Sequence, residues 1–165
     1  MGQNKLSELP HGLLDHMTHL ESLIINCNNL KTFPIGLLRN NKFVTEFELD
    51  NDSERCLKSR KTSVPNDMFL SRYIQNITFR NVAINRLPER WLSNCSGNTL
   101  LNIKSNTFKN WFFSFPCSII VGLLTLIMNH CELQFIPSKL FLETPFLCKL
   151  ELNNNQIKTL NFLPR

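Results

Sequence analysis

Seven positions along this chain mark the same step of one repeating pattern: Asn4, Asn28, Asp52, Val82, Asn106, Cys131 and Asn155. Their separations are 24, 24, 30, 24, 25 and 24 residues. Around each marker the chain reads Leu-x-x-Leu-x-Leu-x-x-Asn-x-Leu or a close variant. The clearest copy is Leu20, Leu23, Ile25, Asn28 and Leu30, followed by Phe33-Pro34. The last copy repeats it as Leu147, Leu150, Leu152, Asn155, Ile157 and Leu160. A unit this short cannot bury its own apolar side, so units must stack and share one core, with stability built from neighbour to neighbour.

Within each copy the apolar residues alternate, as in a short strand whose inward face is buried. Stacked copies place these strands in one parallel sheet. Leu9-Pro10, Phe33-Pro34, Val64-Pro65, Leu87-Pro88 and Ile136-Pro137 then stop each strand, because proline has no N–H for a ladder, and turn the chain to the opposite side. There Gly12-Leu13-Leu14, Met68-Phe69 and Leu140-Phe141 supply apolar packing behind the sheet. The period and spacing predict an α/β leucine-rich-repeat solenoid with a curved parallel β-sheet on the concave face. Irregular or short helical segments form the convex face, in about six to seven repeats. Hydrophobic residues make up 42% of the 165, enough for one core, so a single domain over residues 1–165 is expected.

The marker asparagine has its own task. Its amide both donates and accepts, so it can satisfy backbone groups where the chain leaves the sheet. Cys131 is a small substitute there, whereas Val82 makes no such bonds and predicts a local weakness. The chain opens Met1-Gly2-Gln3-Asn4-Lys5-Leu6, the tail of a repeat without a secretory signal, and neither end carries a cap. An uncapped segment of a longer protein is expected. Trp111 to Met128 contains 18 residues without a charge, at the lower edge for a membrane span. Pro116 interrupts it, and Leu123, Leu126 and Met128 hold the repeat register, so repeat core is the expectation.

Asn51-Asp52-Ser53, Asn76-Ile77-Thr78 and Asn94-Cys95-Ser96 are glycosylation sequons, which point to an extracellular compartment. Cys131 reads as a buried thiol, and Cys27 and Cys148 as strand residues. Cys56, Cys95 and Cys117 fall outside the strands, and Cys56 with Cys95 is the candidate disulfide.

Alternation also predicts the exposed surface. Glu46, Glu48 and Asp50 make one repeat acidic, Arg80 and Lys104 make the next two mildly basic, and Leu100, Leu124 and Ile127 form an apolar patch across adjacent strands. Together they are the candidate partner surface. The 30-residue step from Asp52 to Val82 inserts about six residues within Ser53 to Ser63. This basic loop, with Arg55, Lys58, Arg60 and Lys61, is a candidate recognition element.

Catalysis and cofactors find no support. His16 and His19 lack further metal ligands, His130 and Cys131 are adjacent on a strand and point apart, and no Cys-x-x-Cys or glycine-rich phosphate loop occurs. The formal charge of +5 comes without a basic face interleaved with aromatics, which argues against nucleic acid.

The stretches LSELPHGLLDHMTHLESLIINCNNLKTFPIGLLRN and FIPSKLFLETPFLCKLELNNNQIKTL resemble the ectodomain of insect Toll-type receptors. The resemblance implies the ligand-recognition part of an innate-immune or developmental receptor, on the extracellular side of the plasma membrane. It further implies a cystine-knot cytokine as the protein ligand, receptor dimerisation, and a membrane connection only through other parts of the parent chain. A secreted or surface-attached adhesive leucine-rich-repeat protein and an intracellular leucine-rich-repeat adaptor are the alternatives.

Overall fold

The protein is described by a computed structural model covering residues 1–51, 56, 61–69, 71–87, 97, 99–108 and 122–160. Six strands, β1 Ser22–Ile24, β2 Glu46–Asp50, β3 Asn76–Arg80, β4 Leu100–Asn102, β5 Thr125–Ile127 and β6 Lys149–Glu151, form one sheet in chain order. Every pairing is parallel. One register runs through all six strands, aligning Leu23, Phe47, Ile77, Leu101, Leu126 and Leu150. The first five of these are buried, while Leu150, in the last strand, is half-buried. β2, Glu-Phe-Glu-Leu-Asp, shows the alternation most plainly: Phe47 and Leu49 are buried, and the three carboxylates face outward.

Behind β2 and β3 the core is aromatic. Phe47 meets Phe69 at 5.0 Å and Phe79 at 5.2 Å between ring centroids, and Phe33 packs edge-on against both Phe47 and Phe79 at 5.9 Å. Edge-on and tilted geometries bring positive ring edges to negative ring faces, adding to the burial of apolar area. Among the described residues the rear side is mostly turns, with one helix, α1, at Ser138–Glu143. Met68, Phe69, Leu14 and Leu140 fill the space behind the sheet as expected, but Leu13 is exposed and Phe141 only half-buried.

The markers explain how the chain leaves each strand. The residue before the marker has a positive φ in six copies: Gln3, Cys27, Asn81, Ser105, His130 and Asn154, at 51–58°. Such a left-handed step swings the next backbone groups out of the sheet ladder and strands them. The asparagine answers both needs. Asn106 Oδ1 accepts the Ile84 N–H at 3.0 Å, while its Nδ2 donates to the carbonyls of Phe79 and Ile103, each at 2.8 Å. Asn28 and Asn155 repeat this geometry, bridging to the preceding copy through the Met1 and Met128 carbonyls at 2.8 Å. Cys131 reproduces the donor half, with Sγ 3.1 Å from the Ile103 carbonyl.

Val82 leaves no hole. It is fully buried, and its carbonyl accepts the N–H of Thr62, whose hydroxyl donates to the Leu30 carbonyl. The Cys131 carbonyl accepts the Phe108 N–H in the same way, so this bond belongs to the repeat and does not replace the missing amide. The cost takes another form. After both Val82 and Cys131 the next residue, Ala83 or Glu132, is also left-handed, at φ 53° and 56°. Asp52 lies outside the described residues. Its neighbour Asn51 takes part in the ladder, its Oδ1 accepting the Cys27 N–H at 2.8 Å.

The disulfide differs from the expected pairing. Cys56 is joined to Cys27, with a Cα–Cα distance of 4.7 Å, and Cys95 and Cys117 lie outside the described residues. Cys27 sits beyond the end of β1, on the left-handed step, which frees its side chain from the sheet. The bond closes a separation of 29 residues and so anchors the long second repeat to the first. By the chain-entropy estimate this contributes roughly 3–4 kcal/mol.

Candidate binding surface

The outward strand residues form rows across the sheet. Ser22, Glu46, Asn76, Leu100, Thr125 and Lys149 make one row, and Ile24, Glu48, Thr78, Asn102, Ile127 and Glu151 the next. Asp50 and Arg80 stand opposite each other one step farther on.

Here the structure brings the candidate charges together. Arg80 Nη1 lies 2.7 Å from Asp50 Oδ2, both side chains being partly buried. Glu46 accepts the Ser22 hydroxyl at 3.0 Å, and Glu48 accepts the Asn26 amide. The acidic repeat is thus fastened to both neighbours, and Arg80 offsets one of its three charges. Lys104 is half-buried farther along, its N–H donating to Asn102 Oδ1 at 3.2 Å. At the last strand Lys149 lies 2.7 Å from Glu151, and that contact, with the Asn129 amide, holds the Glu151 carboxyl below its usual range.

The apolar trio is split. Leu100 pairs with Thr125 and Ile127 with Asn102, so a polar residue stands beside each. Leu124 lies just before β5, on the border of the sheet, and is exposed. In the insertion loop, Lys61 is exposed, and Arg55, Lys58 and Arg60 lie outside the described residues.

Among the sequons, Asn51 is 5% exposed and engaged through both its side chain and backbone, so it is an internal ladder residue and not an accessible acceptor. Asn76 opens β3 on the outward face, half-buried, with its Oδ1 accepting the Thr99 hydroxyl at 3.3 Å. Asn94 lies outside the described residues.

A cleft of about 620 Å³ opens at the first repeats, lined by Gly2, Gln3, Ile24, Asn26, Cys27, Asp50 and Arg80. Sequence reasoning identified only Asp50 and Arg80 in it. A signal for Asn26 exists, since Asn129 occupies the corresponding place two residues before its marker. Both accept a backbone N–H from the next repeat, Asp50 at 2.8 Å and Asn153 at 2.7 Å.

No protein-family profile and no curated protein sequence matches this chain. A solved structure does: the Toll–Spatzle complex, described as a molecular hub in Drosophila development and innate immunity. The likeness covers 97% of this chain with a TM-score of 0.69 and 22% sequence identity. The chain has the leucine-rich-repeat fold of the Toll ectodomain. It spans 24% of the matched chain, about a quarter of that length.

The remaining sequence candidates sit within this leucine-rich-repeat frame as follows. His19 stacks on Phe43 with centroids 5.8 Å apart, and no group of three metal-capable side chains occurs among the described residues. No helix among the described residues is long and apolar enough to cross a membrane. Leu123, Leu126 and Met128, at the end of the apolar run, are buried repeat core, and residues 109–121 lie outside the described residues. His130 is exposed and contacts Asn154, while the neighbouring Cys131 is buried.

Burial pushes the Cys131 thiol up to about 11, from a usual 9.0. A thiol whose folded value is raised stabilises the fold fully below the unfolded value and loses that contribution as pH climbs through the folded one. Stability should therefore fall between pH 9 and 11, by roughly 2–3 kcal/mol. Urea titrations across that range test it against Cys131→Val, for which this component of the slope should vanish. An unchanged slope in the variant would show that other groups cause the fall.

Proposed function

We propose that this leucine-rich-repeat array is the extracellular ligand-recognition part of a Toll-like receptor, and that it takes a protein ligand against the outward face of its first three repeats. The observation that carries this reading is the cleft between Ile24, Asn26, Asp50 and Arg80. It joins an exposed apolar side chain, Ile24, to polar groups already held in place by cross-strand bonds. Preformed polar groups around an apolar anchor lose little side-chain entropy on association, which favours tight and selective binding. The Cys27–Cys56 bond borders the cleft and supports an oxidising, extracellular setting.

Toll is complexed with Spatzle in the matched structure, so Spatzle is the natural probe. The ligand class is a cystine-knot cytokine. Isothermal titration of the secreted chain with Spatzle is expected to show saturable binding, weakened at least about tenfold by Ile24→Glu. Absence of binding would reject this ligand class. Binding indifferent to Ile24→Glu would move the site off the cleft.

A further inference from the structure

A second surface lies on the flank that precedes the strands. The residues three places ahead of the paired Ser22, Glu46 and Asn76 are His19, Phe43 and Tyr73, so the sheet register sets them in one column. All three are exposed, Phe43 at 57% and Tyr73 at 45%. The stacking of His19 on Phe43, with ring planes 12° apart, confirms that the first two are neighbours. Adjacent strands lie about 4.8 Å apart, so the register places Tyr73 at the next step of the same column.

Each ring of the second and third repeats follows an exposed cation, in Lys42-Phe43 and Arg72-Tyr73. Across residues 38–45 and 71–75 the charged residues are Arg39, Lys42 and Arg72, all exposed and all basic. Glu21 and Asp15 lie toward the first repeat, and Glu46, at the head of β2, accepts the Ser22 hydroxyl. The column is firmly seated. Val44 and Ile74, the residues after the rings, are fully buried. Asn41, also fully buried, donates to the carbonyls of Leu14 and Met17 at 2.9 and 2.8 Å, and the Ser71 hydroxyl accepts the Tyr73 N–H at 3.3 Å.

Folding leaves the Phe43 and Tyr73 rings exposed although the aliphatic residue after each is buried, and exposed apolar surface of this kind marks an interaction site. We propose that this flank binds an acidic polypeptide segment that carries apolar side chains. Its carboxylates meet Lys42 and Arg72, and its apolar groups cover Phe43 and Tyr73. Electrostatic complementarity selects the sign of the partner, and the fixed rings supply the contact area. A polyanion such as a sulfated polysaccharide fits less well, because its affinity grows with the number of charges neutralised and the rings would contribute little.

The test is selection of a random peptide display library on the secreted full chain, followed by titration of the selected peptides. Peptides rich in Asp and Glu together with Leu, Phe or Tyr are expected. Their affinity should fall at least about tenfold with Phe43→Ser and Tyr73→Ser combined, and likewise with Lys42→Glu and Arg72→Glu combined. All four positions are exposed, so folding is retained, as circular dichroism would verify. Basic or charge-free peptides, or acidic ones indifferent to the ring substitutions, would overturn the proposal. So would heparin binding lost on charge reversal but kept in the ring variant. Self-association of the chain that disappears with Phe43→Ser would assign the flank to a second copy instead. Ile24→Glu leaves this binding intact, which separates failure here from failure of the Spatzle reading.

Discussion

Replacing Phe47 by alanine is expected to destabilise the protein by about 4 kcal/mol, measured as a lowered urea midpoint with an unchanged slope. Phe47 is fully buried at the centre of β2 and touches Phe33, Phe69 and Phe79. Its register neighbours Leu23 and Ile77 are buried on either side. The lost ring leaves a cavity bounded by three other rings and two strands. Rings are stiff and the strands are tied by ladders, so the space closes poorly and most of the packing loss persists. Phe43→Ala is the control, since its ring stands in solvent and its loss should shift stability by no more than about 0.5 kcal/mol. Equal effects at both positions would contradict the register.

Asn106→Ala is expected to cost a comparable amount, about 4 kcal/mol, though it removes no apolar surface. The side chain is 2% exposed, and its loss strands the Ile84 N–H and the Phe79 carbonyl inside the solenoid, while the Ile103 carbonyl keeps only the weaker Cys131 thiol donor. Each buried polar group left without a partner costs roughly 1–3 kcal/mol, so two such groups outweigh the modest net value of the bonds themselves. Asn106→Cys should recover part of the loss, because Cys131 shows that a thiol can take the donor role toward the preceding repeat. It cannot restore an acceptor for the Ile84 N–H. Denaturation of the three proteins should therefore rank asparagine above cysteine above alanine. A loss below about 1 kcal/mol for alanine would mean that water reaches these groups.

The strands were legible because their signal is local. In β2 and β3 the alternation of apolar and polar residues alone assigns the face of each side chain, and the repeat period then aligns Phe47 with Ile77. The marker role of Asn28, Asn106 and Asn155 was legible for the same reason, as one chemical type recurs at one step. Val82 was harder. Its missing amide suggested a gap, but the valine side chain is fully buried within the core.

The candidate surface was legible in composition and not in arrangement. The sequence places Glu46, Glu48, Asp50 and Arg80 on the outward face, but the Asp50–Arg80 pair and the cleft beside Cys27 depend on how two strands 30 residues apart meet. The aromatic flank of His19, Phe43 and Tyr73 lies at one repeat step, yet its residues differ in type, so a search for repeated identities passes over it.

By itself the sequence determined the solenoid, its parallel register and the inward set of side chains, since period and alternation are properties of neighbouring residues along the chain. Tertiary structure alone decided that Cys56 bonds to Cys27, that Asn51 turns inward, and that Phe43 and Tyr73 stay exposed at one step of the register. Those outcomes rest on distances between residues far apart in sequence and on the left-handed steps that re-aim single side chains. A repeat pattern specifies the average unit, and each of these features is a departure from it.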